Sequence, residues 1–463
     1  MRRLSAGLVQ YHVRYPAPGR RRWLALAAIT IAGARLASAS GYEVIYRFTG
    51  GLDGYAPSAA MIAGPSGNLY GTTAFGGTSG ACEGQAVQGC GTVFQLVPPA
   101  TPGGTWTESV LYRFQGGSDG AFPEAAFIAD AAGNLYGTTL AGGNSANCGG
   151  GCGTVFKLSR PATPGGDWSE SLLHTFLGVP GNRNNGDAAQ PNGIVFDPAG
   201  DLYGMAYGGG HCVTDETGTY CYGAVYKLAA PAHPAAAWTE TILYTFRHEI
   251  PSGNPAGPIL GSDGQLYGTA GWGEFGYGMV FRLTPSIPLA VPVYSFRGGS
   301  DGAFPNPGLC FDQAGNLYGS TFGGGPINSG TVYRLSPPSQ PGGSWSESVL
   351  YGFTGGGDAN TPNGSLVIGS SGNVYGATQY GGSAGVGAVF ELSPPAAESD
   401  PWTENLLHSF AGGTDGQLPD GGLTLGANGA LYGTTTGGGG AASSVCAQNG
   451  APNSCGVVFQ ITP

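Results

Sequence analysis

A Leu-Tyr-Gly step, once Val-Tyr-Gly, recurs seven times, with its glycine at Gly71, Gly137, Gly204, Gly268, Gly319, Gly376 and Gly433. After most copies come a Gly-Gly pair and then an apolar run, such as Gly91 to Phe94, Gly153 to Phe156 and Gly330 to Tyr333. Self-similarity at a fixed period means stacked supersecondary units. One unit, Ala125 to Phe176, divides into four short runs. Strand a is Ala126 to Ala129, and Asp130 to Gly133 make a tight turn into strand b, Asn134 to Thr139. A Gly-rich loop leads to strand c, Gly153 to Leu158. The breaker Pro161 to Gly166 leads to strand d, Trp168 to Phe176. Four antiparallel strands per unit fit a propeller blade.

Apolar residues on both faces of strands c and d require a sheet covered on both sides. A phenylalanine ends every strand d (Phe48, Phe114, Phe176, Phe246, Phe296, Phe353, Phe410), as packing between blades would need. The chain ends are informative. Glu43 to Phe48 reads as a strand d without a blade, and Gly456 to Ile461 as a last strand c without its d. The expectation is an all-β, seven-bladed β-propeller with four antiparallel strands per blade. The N-terminal strand would close the ring by pairing into the last blade. With 89 Gly and 34 Pro but no three-residue glycine period, the composition suits tight-turned β structure and excludes collagen.

Arg20 to Arg22, the apolar stretch from Trp23 to about Gly33 and Ala37-Ser38-Ala39 have the order of a secretory signal. The domains are therefore a leader over 1–39 and a single propeller over 40–463. The apolar stretch is too short to span a bilayer, and Arg35 interrupts it, so no transmembrane segment is expected after cleavage. Removing the leader leaves 10 basic and 28 acidic residues, a net charge of about −18. Such a surface repels phosphate backbones and argues against nucleic acid. The protein would be secreted, periplasmic or at the cell surface, and monomeric.

Eight of nine cysteines form close pairs in the b–c loops: Cys82/Cys90, Cys148/Cys152, Cys212/Cys221 and Cys446/Cys455. Disulfides suit an oxidising compartment. Metal ligation is the alternative, and only the Cys148/Cys152 spacing invites it. Cys310 is left over in an apolar run and reads as a buried free thiol. Because the stapled loops fall in repeats seven, one, two and three, they would form a crescent on the face that carries the b–c and d–a loops.

The d–a loops repeat Asp-Gly-x-x-Pro at Asp53, Asp119, Asp301 and Asp415, with looser versions at Asp187 and Asp358 and Asn254 in repeat four. Two readings stand: oxygen ligands for a cation such as calcium, or aspartates capping their own turns. No other cofactor is indicated. Trp-[Thr/Ser]-Glu opens strand d at Trp106/Glu108, Trp168/Glu170, Trp238/Glu240, Trp345/Glu347 and Trp402/Glu404. Five copies at one structural place argue for packing. Trp272, Phe275 and Tyr277 differ, because they fill the repeat-four b–c loop, where aromatic rings can stack on sugars. Of the histidines, His174 and His408 replace the tyrosine of strand d and read as structural. His211, His233 and His248 show no triad or metal spacing. No Gly-x-Ser-x-Gly elbow, His-Glu-x-x-His or phosphate loop is present.

The text Gly133 to Thr139 with Gly153 to Leu158, repeated from about Gly41 to Pro463, resembles the GloVer (Gloeo/Verruco) tandem-repeat family. The resemblance implies an exported bacterial repeat protein of the cell surface or medium, often followed by a C-terminal anchor, with no catalytic residues to transfer. This text runs to Pro463 without an anchor-like segment. Neither Trp-Asp steps nor Asp-box text recur, so WD40 and sialidase likenesses fail. The leading function is a non-enzymatic binding propeller with a glycan or protein ligand at the b–c/d–a face. The alternatives are a carbohydrate-active hydrolase or lyase on that face, with two carboxylates from different blades, and a structural envelope component.

Overall fold

A computed structural model describes residues 41–463 except 79, 81, 83–87, 102, 164, 179–185, 217, 234–235, 248–251, 341, 398–399, 441–445 and 447–453. The leader and His248 lie outside the described residues. The described chain is all-β and propeller-like, built of many small antiparallel sheets. Among the described residues no α-helix occurs, and no helix is long and apolar enough to cross a membrane.

Repeats one to four each form one four-stranded set in chain order. The first is Ile62–Ala63, Leu69–Thr73, Thr92–Val97 and Thr107–Arg113. The second is Ile128–Ala129, Leu135–Thr139, Thr154–Ser159 and Ser169–Thr175, so its strand a is shorter than the sequence suggests. In the third, Ala188–Phe196, Leu202–Gly209, Ala224–Ala229 and Thr239–Thr245 carry an extra hairpin, Cys212–Asp215 with Gly218–Cys221, in the b–c loop. The strands a of repeats six and seven, Ala359–Ile368 and Gln417–Leu425, meet through one parallel bridge, Ser365 to Gly422.

The repeated glycine has a packing cause. Gly71 pairs with Phe94 across strands b and c, and a Cβ on Gly71 would lie 2.4 Å from the Phe94 ring. The same aromatic residue of strand c crosses Gly137, Gly204, Gly319, Gly376 and Gly433. Only hydrogen leaves room for the ring. That ring in turn receives the phenylalanine that ends the preceding repeat's strand d. Phe114 meets Phe156 edge-on at 5.1 Å, Phe176 meets Tyr226 at 4.9 Å, and Phe353 meets Phe390 at 5.2 Å. Every one of these terminal phenylalanines is buried. The cores therefore lie between consecutive repeats, with Phe114, Phe127, Leu135 and Phe156 packed against Val93 and Cys82.

The N-terminal strand, Gly41–Arg47, pairs antiparallel with the last strand, Val457–Thr462. It skips Ile45 between Val44 and Tyr46, the bulge that every strand c/d pair makes, as at Leu111 and Leu173. The core at this junction joins Ile45, Phe48, Tyr432 and Val458 to Met61 and Phe94 of repeat one.

A second lock recurs at each d–a junction. The residue before the repeated proline is left-handed in all seven repeats: Ala56, Phe122, Gln190, Asn254, Phe304, Thr361 and Leu418 have φ of 54–61°. Such strain costs roughly 1–3 kcal/mol per position and needs surroundings that enforce it. Here its amide donates to the preceding repeat: Phe122 to the Cys90 carbonyl, Thr361 to Ser329 and Ala56 to Cys455.

Candidate functional site

The residue after each of those prolines leads into or lies within the first strand of its repeat. Read in order these residues are Ser58, Glu124, Asn192, Ala256, Asn306, Asn363 and Asp420, polar in all but one. A cavity of about 380 Å³ is lined by residues of all seven repeats, among them Ser58, Glu124, Asn192, Pro258, Pro307, Asn363 and Asp420. Its other lining residues include Phe127, Ile194, Ile259 and Leu309, so the polar residues sit at the d–a ends of the strands and the apolar ones farther along. Cavities of this size suit a small molecule or the end of a larger one.

The polar residues are held by their neighbours. Asn192 Nδ2 donates to the Pro255 carbonyl of the next repeat (2.8 Å), and Asn306 Nδ2 to the Pro362 carbonyl (2.6 Å). At the same step further round, Asn363 Nδ2 donates to the Asp420 carboxylate instead. Ser58 Oγ is buried without a partner. Glu124 is exposed where it lines the cavity. Loss of bulk solvation, then the Asp420 charge, raise its carboxyl to about 7. Asp420 is pushed up to about 6 by desolvation, against the pull of the Asn363 hydrogen bond. Tyr207, which also lines the cavity, is raised, first by desolvation, then also by these two acids, against an opposing hydrogen bond from Asn192. Two carboxyls that titrate near neutrality beside a phenol can exchange protons with a bound molecule.

The six turn aspartates lie elsewhere, and none lines the cavity. Each carboxylate caps its own turn. Asp53 accepts from the Thr49 amide (2.8 Å), Asp119 from Gln115 (2.7 Å) and Asp187 from Leu177 (2.5 Å). Asp301 accepts from Arg297 (2.6 Å), Asp358 from Thr354 (2.7 Å) and Asp415 from Ala411 (2.7 Å). Most also accept from the strand-d tyrosine, as Asp53 does from Tyr46 and Asp358 from Tyr351.

The four cysteine pairs are disulfides: Cys82–Cys90, Cys148–Cys152, Cys212–Cys221 and Cys446–Cys455. Cys310 is free and half-buried rather than fully buried, and desolvation pushes its thiol up to about 12. Trp272, Phe275 and Tyr277 are exposed, at 51%, 43% and 42%. Arg297 stacks over Phe275 at 5.0 Å. Phe304, Phe322 and Tyr380 are also exposed, and the Phe304 ring lies 6.2 Å from that of Tyr277. The strand-d tryptophans pack on the preceding repeat, as Trp106 does on Tyr432 and Trp345 on Tyr267.

Sequence reasoning missed Glu124, Asn192, Asn363 and Asp420. A signal was present, because a polar residue varies at one fixed place after a repeated proline. It was overlooked because the aspartate before the proline repeats and these residues do not.

A model of the Gloeobacter/Verrucomicrobia repeat matches residues 34–213 and 211–447. No curated protein matches the chain. Among solved structures, virginiamycin B lyase from Staphylococcus aureus is similar at 13% identity and a TM-score of 0.48, covering 91% of this chain and 100% of that one. A gluconolactonase from Xanthomonas campestris overlaps at 13% identity and a TM-score of 0.39, covering 74% and 87%. A polysaccharide lyase of family 25, an ulvan lyase, overlaps at 10% identity and a TM-score of 0.45, covering 78% and 85%. Overlaps this loose carry no argument about chemistry.

Proposed function

We propose, from the premise that this chain belongs to the Gloeobacter/Verrucomicrobia repeat family, that it is an exported seven-bladed propeller that binds a glycan at the end carrying its b–c and d–a loops. The domain runs from residue 40 to 463 as a closed ring, with Gly41–Arg47 as the outer strand of the seventh blade. The pairing with Val457–Thr462, the shared bulge and the common core with repeat one support this reading.

The observation that carries the function is the convergence of Glu124, Asn192, Asn363 and Asp420 on one cavity. Amides and carboxyls lining one cavity suit the hydroxyls of a sugar, which donate and accept in turn. The exposed rings of Trp272, Phe275 and Tyr277 would stack on sugar faces beyond the cavity. In a closed ring the disulfide-stapled loops of repeats seven, one, two and three stand opposite this aromatic side, so a chain could lie between them. The six turn aspartates enter as caps, away from this cavity.

A second reading rests on Glu124 and Asp420. A carboxyl that keeps its proton near pH 7 beside a more acidic one can serve as general acid and base in hydrolysis or elimination. The test is a panel of polysaccharides and oligosaccharides scored for binding and for release of shorter or unsaturated products. Binding that Glu124→Gln with Asp420→Asn weakens, with Trp272→Ala weakening it separately, supports the site. Product formation that the acid variants abolish favours the enzyme. Binding unchanged in all three variants would remove the cavity from the function.

A further inference from the structure

Between consecutive repeats lies a niche with three positions: the strand-d tyrosine, the turn aspartate and the glutamate of the next repeat's Trp-x-Glu. In Tyr46/Asp53/Glu108, Tyr112/Asp119/Glu170, Tyr294/Asp301/Glu347 and Tyr351/Asp358/Glu404 the phenol donates to the aspartate, which completes the niche. Two niches replace tyrosine by histidine. At the seventh repeat, His408 Nε2 bonds Asp415 at 3.1 Å, and Tyr42 of the N-terminal strand stands where glutamate would be, stacked on His408 at 3.6 Å. That niche has one carboxylate and is filled.

The other is His174/Asp187/Glu240. Here a histidine and two carboxylates meet, with one donor atom from each all within 4.8 Å of one another. His174 Nε2 stands 3.5 Å from Glu240 Oε2. Two ligands held at about 2.1 Å by a tetrahedral ion stand about 3.4 Å apart, so this spacing needs little adjustment. The Nε2 atom is buried and has no hydrogen-bond partner, and neither has Glu240 Oε1. The His174 and Glu240 side chains are 19% and 16% exposed, which leaves an edge open to water. The first shell is already oriented. The Leu177 and Ala188 amides hold Asp187, and Phe176 packs edge-on against the His174 ring at 4.7 Å. Such outer contacts are what fix metal ligands.

We propose that His174, Asp187 and Glu240 form a binding site for one divalent transition-metal ion, zinc in the first instance. The imidazole favours such an ion over calcium, and the two carboxylates neutralise it. The remaining coordination positions face the open edge and take water. None of the three residues lines the central cavity, so this site is independent of the glycan reading.

The test is calorimetric titration of the purified, chelator-stripped chain with zinc chloride, and with calcium chloride for comparison. One zinc per chain is expected, with weaker calcium binding. The decisive variant is His174→Tyr, which restores the residue of four sister niches and should fold. It should weaken zinc binding by at least about 100-fold, since loss of an outer partner alone costs 10–100-fold. His408→Tyr should leave the titration unchanged. The proposal is overturned if the parent takes up no stoichiometric zinc, or if His174→Tyr binds it as the parent does. Thermal melts of both variants show whether a loss reflects the site or the fold.

Discussion

Phe48, on the N-terminal strand, packs edge-on against Phe94 in strand c of the first repeat, with ring centroids 5.2 Å apart and planes at 68°. The same contact joins Phe410 to Phe459 between repeats six and seven, at 5.2 Å and 65°. A strand hydrogen-bonded to the last repeat thus gives its aromatic residue to the first. The two ends of the chain share one core, and separating them opens that core.

Deleting residues 42 to 48 should therefore lower the melting temperature of the whole domain. The milder Phe48→Ala change should cost about 3–5 kcal/mol, as for other buried phenylalanines. Urea unfolding followed by tryptophan fluorescence measures both. A truncated chain that melts like its parent would show that the first strand is dispensable.

Gly330 precedes strand c of the fifth repeat at φ 89°, where a Cβ would lie 2.4 Å from the Thr321 carbonyl oxygen and 2.5 Å from Pro362 Cδ. Gly330→Ala combines left-handed strain with a clash against backbone. It should destabilise by more than about 1 kcal/mol. Gly342→Ala, at φ 83° with open space around it, carries the strain alone and should cost less. The difference between their urea midpoints separates the clash from the left-handed strain.

Stability should fall as pH rises from about 5 to 8. Glu108, Glu170, Glu347 and Glu404 are each raised from an ordinary 4.5 to about 7, first by desolvation and then by Asp53, Asp119, Asp301 and Asp358 respectively. Arg113 pulls Glu108 the other way. The folded chain keeps protons that the unfolded chain gives up. Their stabilising effect is complete below about 4.5 and disappears as pH passes through 7. Replacing all four by glutamine should flatten the dependence. A midpoint that rises between pH 5 and pH 8 in the parent would contradict this account.

Reducing agent should loosen the b–c loops before the sheets. The bridges close short loops, with separations of 4 to 9 residues, so each should contribute near the low end of about 2–4 kcal/mol. None of the strands around the cavity carries a bridging cysteine. Proteolysis with and without reductant should give new cleavage in repeats one, two, three and seven while the melt stays cooperative.

Much of this fold was legible because its cause is local and repeated. The glycine of Leu-Tyr-Gly, the aromatic of strand c and the phenylalanine ending strand d recur at fixed spacing, since each must meet its counterpart in the next repeat. The strand assignments and the pairing of the two chain ends followed from those spacings. The bulge at Leu173 did not, because a skipped residue leaves no trace in a period-two pattern. It reverses which face the neighbouring side chains take.

The site depended on what the fold brings together. Glu124 and Asp420 are 296 positions apart and belong to no shared motif, yet both follow a repeated proline and so enter one cavity. His174 and Glu240 read separately as a tyrosine substitute and a packing residue, but the repeat brings them together beside Asp187. Sequence alone determined the unit, its strands and its joints, because neighbours in the chain enforce them. Only the tertiary structure decided which unrepeated side chains share a space, because desolvation and charge act through distance in three dimensions.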